Sequence, residues 1–303
     1  MPRCKAAEDL AIAESISFCQ NQLGKNMERT RGKTMAKQTK GYCKYCGKEY
    51  TRGGMLRHLN ACKGRAEALA EEKGKRKCGY YELVLSGKYQ KDYWLIVEMR
   101  EDALLRDLDQ FIRDIWVECC GHLSAFTIGG VSYESHPSED RFWGPPARSM
   151  ACMLKRALSV GMIFSYEYDF GSTTELEIKV QDYRGQGIWK REKITILSRN
   201  NPPRILCSQC GERLAKWVNP EGYYSGNPFW CEECAEEMEK GETSGEEAEW
   251  EEDGFADWML PVCNSPRMGV CGYTGSEIYP DQFEADKKQQ ESCRPSQPGE
   301  ELP

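Results

Sequence analysis

Two Cys-x2-Cys pairs, Cys207 with Cys210 and Cys231 with Cys234, constrain this chain more than any other feature. Each pair places two thiolates on one edge of a tetrahedron, and the twenty residues between them suffice for a β-hairpin to bring the second pair over the first. Gly211 suits the tight turn after the first pair. The spacing predicts a zinc ribbon over residues 204–236. Four thiolates close the coordination sphere, so such a site holds structure and leaves no position for a reacting ligand.

The stretch YCKYCGKEYTRGGMLRHLNAC, Tyr42 to Cys62, predicts a second zinc site, with Cys43, Cys46, His58 and Cys62 as ligands in a ββα-like finger over 41–63. Tyr50 and Met55 stand where such a finger needs its two core side chains. Cys46 to His58 is one residue shorter than the common spacing, and Gly53-Gly54 allow the tight entry into the helix. Seven of the sixteen cysteines fall in these two sets. With no apolar run of export-signal or membrane-spanning length, zinc in a reducing cytoplasm explains them better than disulfides. Two zinc ions are the expected cofactors, and no membrane is an expected partner.

The net charge of −7 conceals a polarity. Residues 1–80 carry 18 Lys and Arg against 8 Asp and Glu, whereas residues 235–303 carry 5 against 18. Residues 1–40 read as a disordered basic arm, with a weak helical stretch from Leu10 to Phe18, and Met35 stands just before the finger as a second candidate start. Residues 64–79 read as a helix extension and basic linker. Arg52, Arg57, Lys63, Arg65, Lys75, Arg76 and Lys77 are the expected contacts to DNA or RNA phosphates. In the finger, the three positions that most often reach bases fall on Thr51, Gly54 and Arg57, so little sequence preference is expected. Residues 237–303 read as an acidic, partly disordered tail in which Trp250, Phe255 and Trp258 offer aromatic anchors to a protein partner.

Between the zinc modules, residues 80–203 read as an α+β domain: a central mixed or antiparallel sheet with packed helices. YYELVLSG and YWLIVEMR suggest a hairpin. Apolar residues from Leu104 to Cys119 recur at helical spacing up to Gly121, AFTIGG and VSYES suggest another strand pair, SMACMLKRAL a second helix, and KITILSRN a last strand. MIFSYEYDF and TTELEIKV alternate strictly. A connection over 171–173, or a bulge, sets Tyr168 opposite Leu176 and gathers Glu167, Asp169, Glu175 and Glu177 on the other face. This order of elements, with His122-Leu123, Phe126 and Tyr168-Asp169-Phe170-Gly171, resembles the plasmid pRiA ORF-three-like family, also labelled insertion-element passenger TnpR proteins, over roughly residues 80–200. The resemblance implies a link to mobile elements. Many members follow that stretch with Asp, Trp and His, where this chain has Ser172, Thr174 and Leu176.

The remaining candidates read as structural. Cys119 and Cys120, adjacent on the expected helix, point apart and favour packing over chelation; His122 favours capping or packing over general base work; Cys263 and Cys271 favour docking on the ribbon over half of a third metal site. The expected function is a zinc-binding modular interaction or regulatory protein that binds nucleic acid weakly and without sequence specificity. The alternative is an enzyme of unknown reaction with a metal or small substrate near Asp169.

Overall fold

The computed structural model describes residues 38–137, 146–242 and 259–286. The finger contributes strands β1 (Lys40–Tyr42) and β2 (Glu49–Thr51) and helix α1 (Arg52–Ala61), followed by α2 (Lys63–Ala70). The central region contains β3 (Lys77–Gly87), β4 (Trp94–Arg100), α3 (Leu105–Ile112) with a π turn over Arg113–Val117, β5 (Ser124–Ile128), β6 (Val131–Glu134), β7 (Arg148–Ser149), α4 (Leu154–Ala157), β8 (Ile163–Tyr168), β9 (Thr174–Ile188) and β10 (Ile194–Arg199). Then follow β11 (Trp217–Val218), α5 (Gly222–Ser225), β12 (Phe229–Trp230), α6 (Glu232–Glu242) and β13 (Leu260–Pro261).

The fold is α+β, built on one mixed sheet of eight strands in the order β10-β4-β3-β9-β8-β5-β6-β7. Only β6 and β7 pair in parallel within it. The main core lies on one face, where Leu105, Leu108, Phe111, Ile112, Ile115 and Trp116 pack against Leu83, Leu85, Val97, Tyr166, Tyr168 and Ile178. A second core explains why β3 and β4 are apolar runs rather than alternating ones: a strand covered on both faces needs apolar residues at odd and even positions. Val84, Trp94, Ile96 and Leu197 point to the opposite face and pack against Met55 and Leu59 of α1.

The finger is therefore part of the sheet's packing rather than a bead on a linker. Its β1 runs along the sheet edge, with Asn201 N–H donating to Lys40 O at 2.7 Å, Lys44 N–H to Leu197 O at 2.9 Å and Ser198 Oγ to Tyr42 O at 2.8 Å. Gly41 permits that approach, because a Cβ there would lie 2.0 Å from Arg199 O. On the same face Glu82 and Glu98 lie directly across β3 and β4, a repulsive pair unless a cation joins them. Arg65 on α2 meets both, at 2.9 Å and 3.3 Å, and Arg184 meets Glu98 at 2.7 Å.

Three expectations are corrected here. The long helix stops at Val117, so Cys119 and Cys120 lie in the following turn and not on a helix. SMACMLKRAL supplies only the single turn α4, because its first residues are extended: the carbonyls of Cys152 and Met150 accept from Leu105 and Arg106 at the start of α3. Tyr168 faces Thr174 and Tyr166 faces Leu176, so the connection spans five residues, 169–173. The shift of two keeps every side chain on its expected face but removes Asp169 and Phe170 from the strand; Asp169 takes a left-handed φ of 64° and Phe170 is exposed. Residues 259–286, within the segment read as a partly disordered acidic tail, form a strap. β13 pairs with β11, Asn264 exchanges hydrogen bonds with Asn200, Ser265 Oγ donates to Trp116 O, and Asp286 N–H donates to Lys44 O. Trp250, Phe255, Trp258 and the arm over 1–37 lie outside the described residues.

Candidate metal centres

Cysteine and histidine side chains converge at three places among the described residues, each offering four ligand atoms within 4.8 Å of one another. A tetrahedron with Zn–S bonds of about 2.3 Å has edges of about 3.8 Å, so atoms gathered within 4.8 Å are close enough to hold a metal ion of that kind.

In the finger, Cys43 and Cys46 sit on a knuckle closed by Gly47 N–H donating to Cys43 O, with Gly47 at φ 67°. The helix α1 carries His58 to Cys46 (Sγ to Nε2, 3.2 Å), and Cys62 follows its last turn to meet Cys43 at 3.9 Å. Thr51 caps α1, its Oγ accepting from Gly54 N–H, and Tyr50 stacks on the His58 ring at 4.5 Å. Burial pushes the Cys43 thiol up to about 12 and, with Lys48 nearby, holds His58 below its ordinary value. A buried thiol ionises only with a cation to pair it, and neutral imidazole is the coordinating form.

The ribbon cysteines come from a turn, Cys207 to Cys210, and from the start of α6, where Cys231 precedes the helix and Cys234 lies in its first turn; Cys207 and Cys231 are buried and Cys210 and Cys234 half-buried. Gly211 takes φ 70° and donates its N–H to Cys207 O. Arg213 Nε donates to Cys231 Sγ at 3.2 Å and its Nη2 to Cys234 Sγ at 3.5 Å. Backbone N–H groups of Arg213 and Glu212 bring Cys210 down to about 6. Arg213 also pairs with Glu233 at 3.2 Å, and although its bond lowers Cys234, the neighbouring thiols outweigh it and push Cys234 up to about 12, so the four thiols of this centre are not equally ready to ionise.

Cys119, Cys120 and His122 form the third cluster together with Cys271 of the strap, His122 Nε2 lying 3.3 Å from Cys271 Sγ. The individual readings of these four as packing residues missed their convergence, since three belong to the turn after α3 and the fourth lies 149 residues beyond His122. Three centres, not two, can hold a metal ion.

The expected phosphate contacts divide. Arg57, Lys63, Lys75 and Lys77 are exposed and Arg52 half-exposed. Arg76 is exposed but stacks on Trp189 and pairs with Asp102. Arg65 does not belong with them: its side chain is only 11% exposed and is engaged by Glu82 and Glu98. The acidic face near Asp169 also comes apart. Glu175 pairs with Lys88, Glu177 with Lys91, and Asp169 turns inward to Arg267, whose side chain is wholly buried, at 2.7 Å. Burial pushes the Asp169 carboxyl up, but the Arg267 bond and the Ser172 and Gly171 N–H groups outweigh it and hold it below the usual range.

No helix among the described residues is long and apolar enough to cross a membrane. No family model matches the chain, and no curated protein matches it. Among solved structures, a protein of unknown function, MM3350 from Methanosarcina mazei Go1, is similar at 18% identity and a TM-score of 0.34, over 41% of this chain and 70% of that one.

Proposed function

We propose that this is a zinc-scaffolded interaction protein of the cytoplasm whose exposed finger surface binds polyanionic partners, DNA or RNA, weakly and without sequence preference. The observation that carries the reading is the two-sided character of the finger: its apolar side is covered by Val84, Trp94, Ile96 and Leu197, while Lys48, Arg57 and Lys63 remain exposed. Side chains of that kind neutralise phosphates and carry no sequence information. Thr51, one of the three base-reading positions, is committed to capping α1, and Gly54 has no side chain to offer. Zinc in the finger and ribbon then has an architectural role. The resemblance of the central region to the pRiA ORF-three-like family extends this proposal to a role beside mobile elements. The enzyme reading loses support because Asp169 is paired to a buried guanidinium rather than facing a substrate.

Retention of the full chain on a random-oligonucleotide pool across a salt series tests the proposal. We expect binding that falls steeply with salt, weakens in the Arg57→Ala/Lys63→Ala double variant and enriches no motif. An enriched motif, or no retention at low salt, overturns it.

A further inference from the structure

We propose that Cys119, Cys120, His122 and Cys271 bind a third zinc ion, and that this ion fastens the 259–286 strap to the central domain. Three thiolates and an imidazole are a soft donor set that zinc accepts in a tetrahedron, and the four ligand atoms already lie within 4.8 Å of one another.

Both halves of the site are held in place by groups that do not themselves ligate. On the central-domain side, the Glu118 carboxylate accepts from Gly121 N–H at 2.6 Å, from Tyr168 Oη at 2.9 Å and from Arg113 Nη1 at 2.8 Å. Tyr168 Oη in turn accepts from the backbone N–H groups of Cys119 and His122, and Arg113 Nη2 donates to His122 O at 2.7 Å. Gly121 at φ 71° lets the turn reverse between Cys120 and His122. On the strap side, Cys271 takes φ 52° between Val270 and a left-handed Gly272. Among the described residues Cys271 and Asp169 are the two non-glycine residues with positive φ, and both lie against His122 Nε2, at 3.3 Å and 3.7 Å. Such backbone conformations cost energy and persist where surrounding contacts require them.

The charge balance also fits. Zinc with three thiolates and a neutral imidazole carries one net negative charge, and Arg267 Nη2 lies 3.4 Å from Cys119 Sγ. The same guanidinium holds Asp169, Thr174 Oγ1 and Ser172 O, so the ligand turn, the β8–β9 connection and the strap share one buried cation. Cys120 and Cys271 are exposed, unlike Cys43, Cys62, Cys207 and Cys231. This centre should therefore release its ion to a chelator before the other two.

Zinc counted per chain on the full-length protein, purified under reducing conditions, tests the site. We expect three ions in the unaltered protein and two in both Cys271→Ser and Cys120→Ser, the second variant removing an exposed side chain that carries no packing. Hydrogen exchange should rise within residues 259–286 in both variants while the finger stays protected. Two ions in the unaltered chain, an unchanged count in the variants, or a Cys120–Cys271 disulfide in place of metal overturns the proposal. None of these readouts depends on nucleic-acid binding.

Discussion

The finger and the ribbon have the same number of candidate ligands but different relations to the rest of the chain. Met55 and Leu59 of the finger share a core with β3, β4 and β10, and Arg65 just beyond it neutralises two glutamates buried in that sheet. The ribbon contributes Val218, Ile205 and Phe229 to a smaller cluster completed by Cys263, Met268 and Tyr273 of the strap. Cysteine and histidine spacing fixes how each module gathers its four candidate ligand atoms. Which module becomes part of a larger core is decided by the surfaces it presents and by what the neighbouring sheet leaves uncovered.

The largest difference should appear on truncating apolar side chains. Leu59→Ala removes a side chain that is 2% exposed within the shared core and should cost about 2–5 kcal/mol of the stability of the central domain, read by denaturant unfolding. Leu214→Ala, at a ribbon residue 47% exposed, should move it by less than about 0.5 kcal/mol. Equal effects would mean that the shared core does not exist in solution.

Basic residues sharpen the same comparison. Arg65→Met leaves Glu82 without its cation and Glu98 with Arg184 alone, and should cost about 3 kcal/mol. Arg57→Met, on the exposed side of the same finger, should leave stability within about 0.5 kcal/mol and instead weaken retention on polyanions.

A smaller effect is expected from pH. Glu72, at the end of α2, accepts from Arg184 and pairs with Lys190. Burial pushes its carboxyl up, but those cations and the Ile188 N–H outweigh it, so its folded-state pKa is depressed. Its contribution is complete above the ordinary glutamate value and is lost as pH falls through the depressed one. Glu72→Gln should flatten the acid side of the stability profile, and an unaltered profile would place this anchor outside the folding unit.

The convergence of the cysteine and histidine side chains in finger and ribbon was legible in the sequence because tetrahedral coordination by neighbouring residues imposes short, fixed spacings. The β8–β9 faces were legible because a register error of two preserves side-chain parity, even though the connection was longer than expected. Docking of the finger left a fainter signal: β3 and β4 are apolar at odd and even positions alike, interrupted by Glu82 and Glu98, which implies a second cover carrying cations. The third cluster had almost no local signature. Its four residues are brought together by where a helix ends and where a distant strap crosses it, and the helical periodicity up to Gly121 placed Cys119 and Cys120 on the wrong element.

Hydrogen exchange on full-length Cys62→Ser beside Cys231→Ser tests most directly whether the finger belongs to the sheet's core and the ribbon does not. Loss of the finger ligand should raise exchange across β3, β4 and β10, whereas loss of the ribbon ligand should raise it over β11, β12 and β13 and leave the central strands protected. Central strands that stay equally protected in both variants, or open equally in both, would contradict the account.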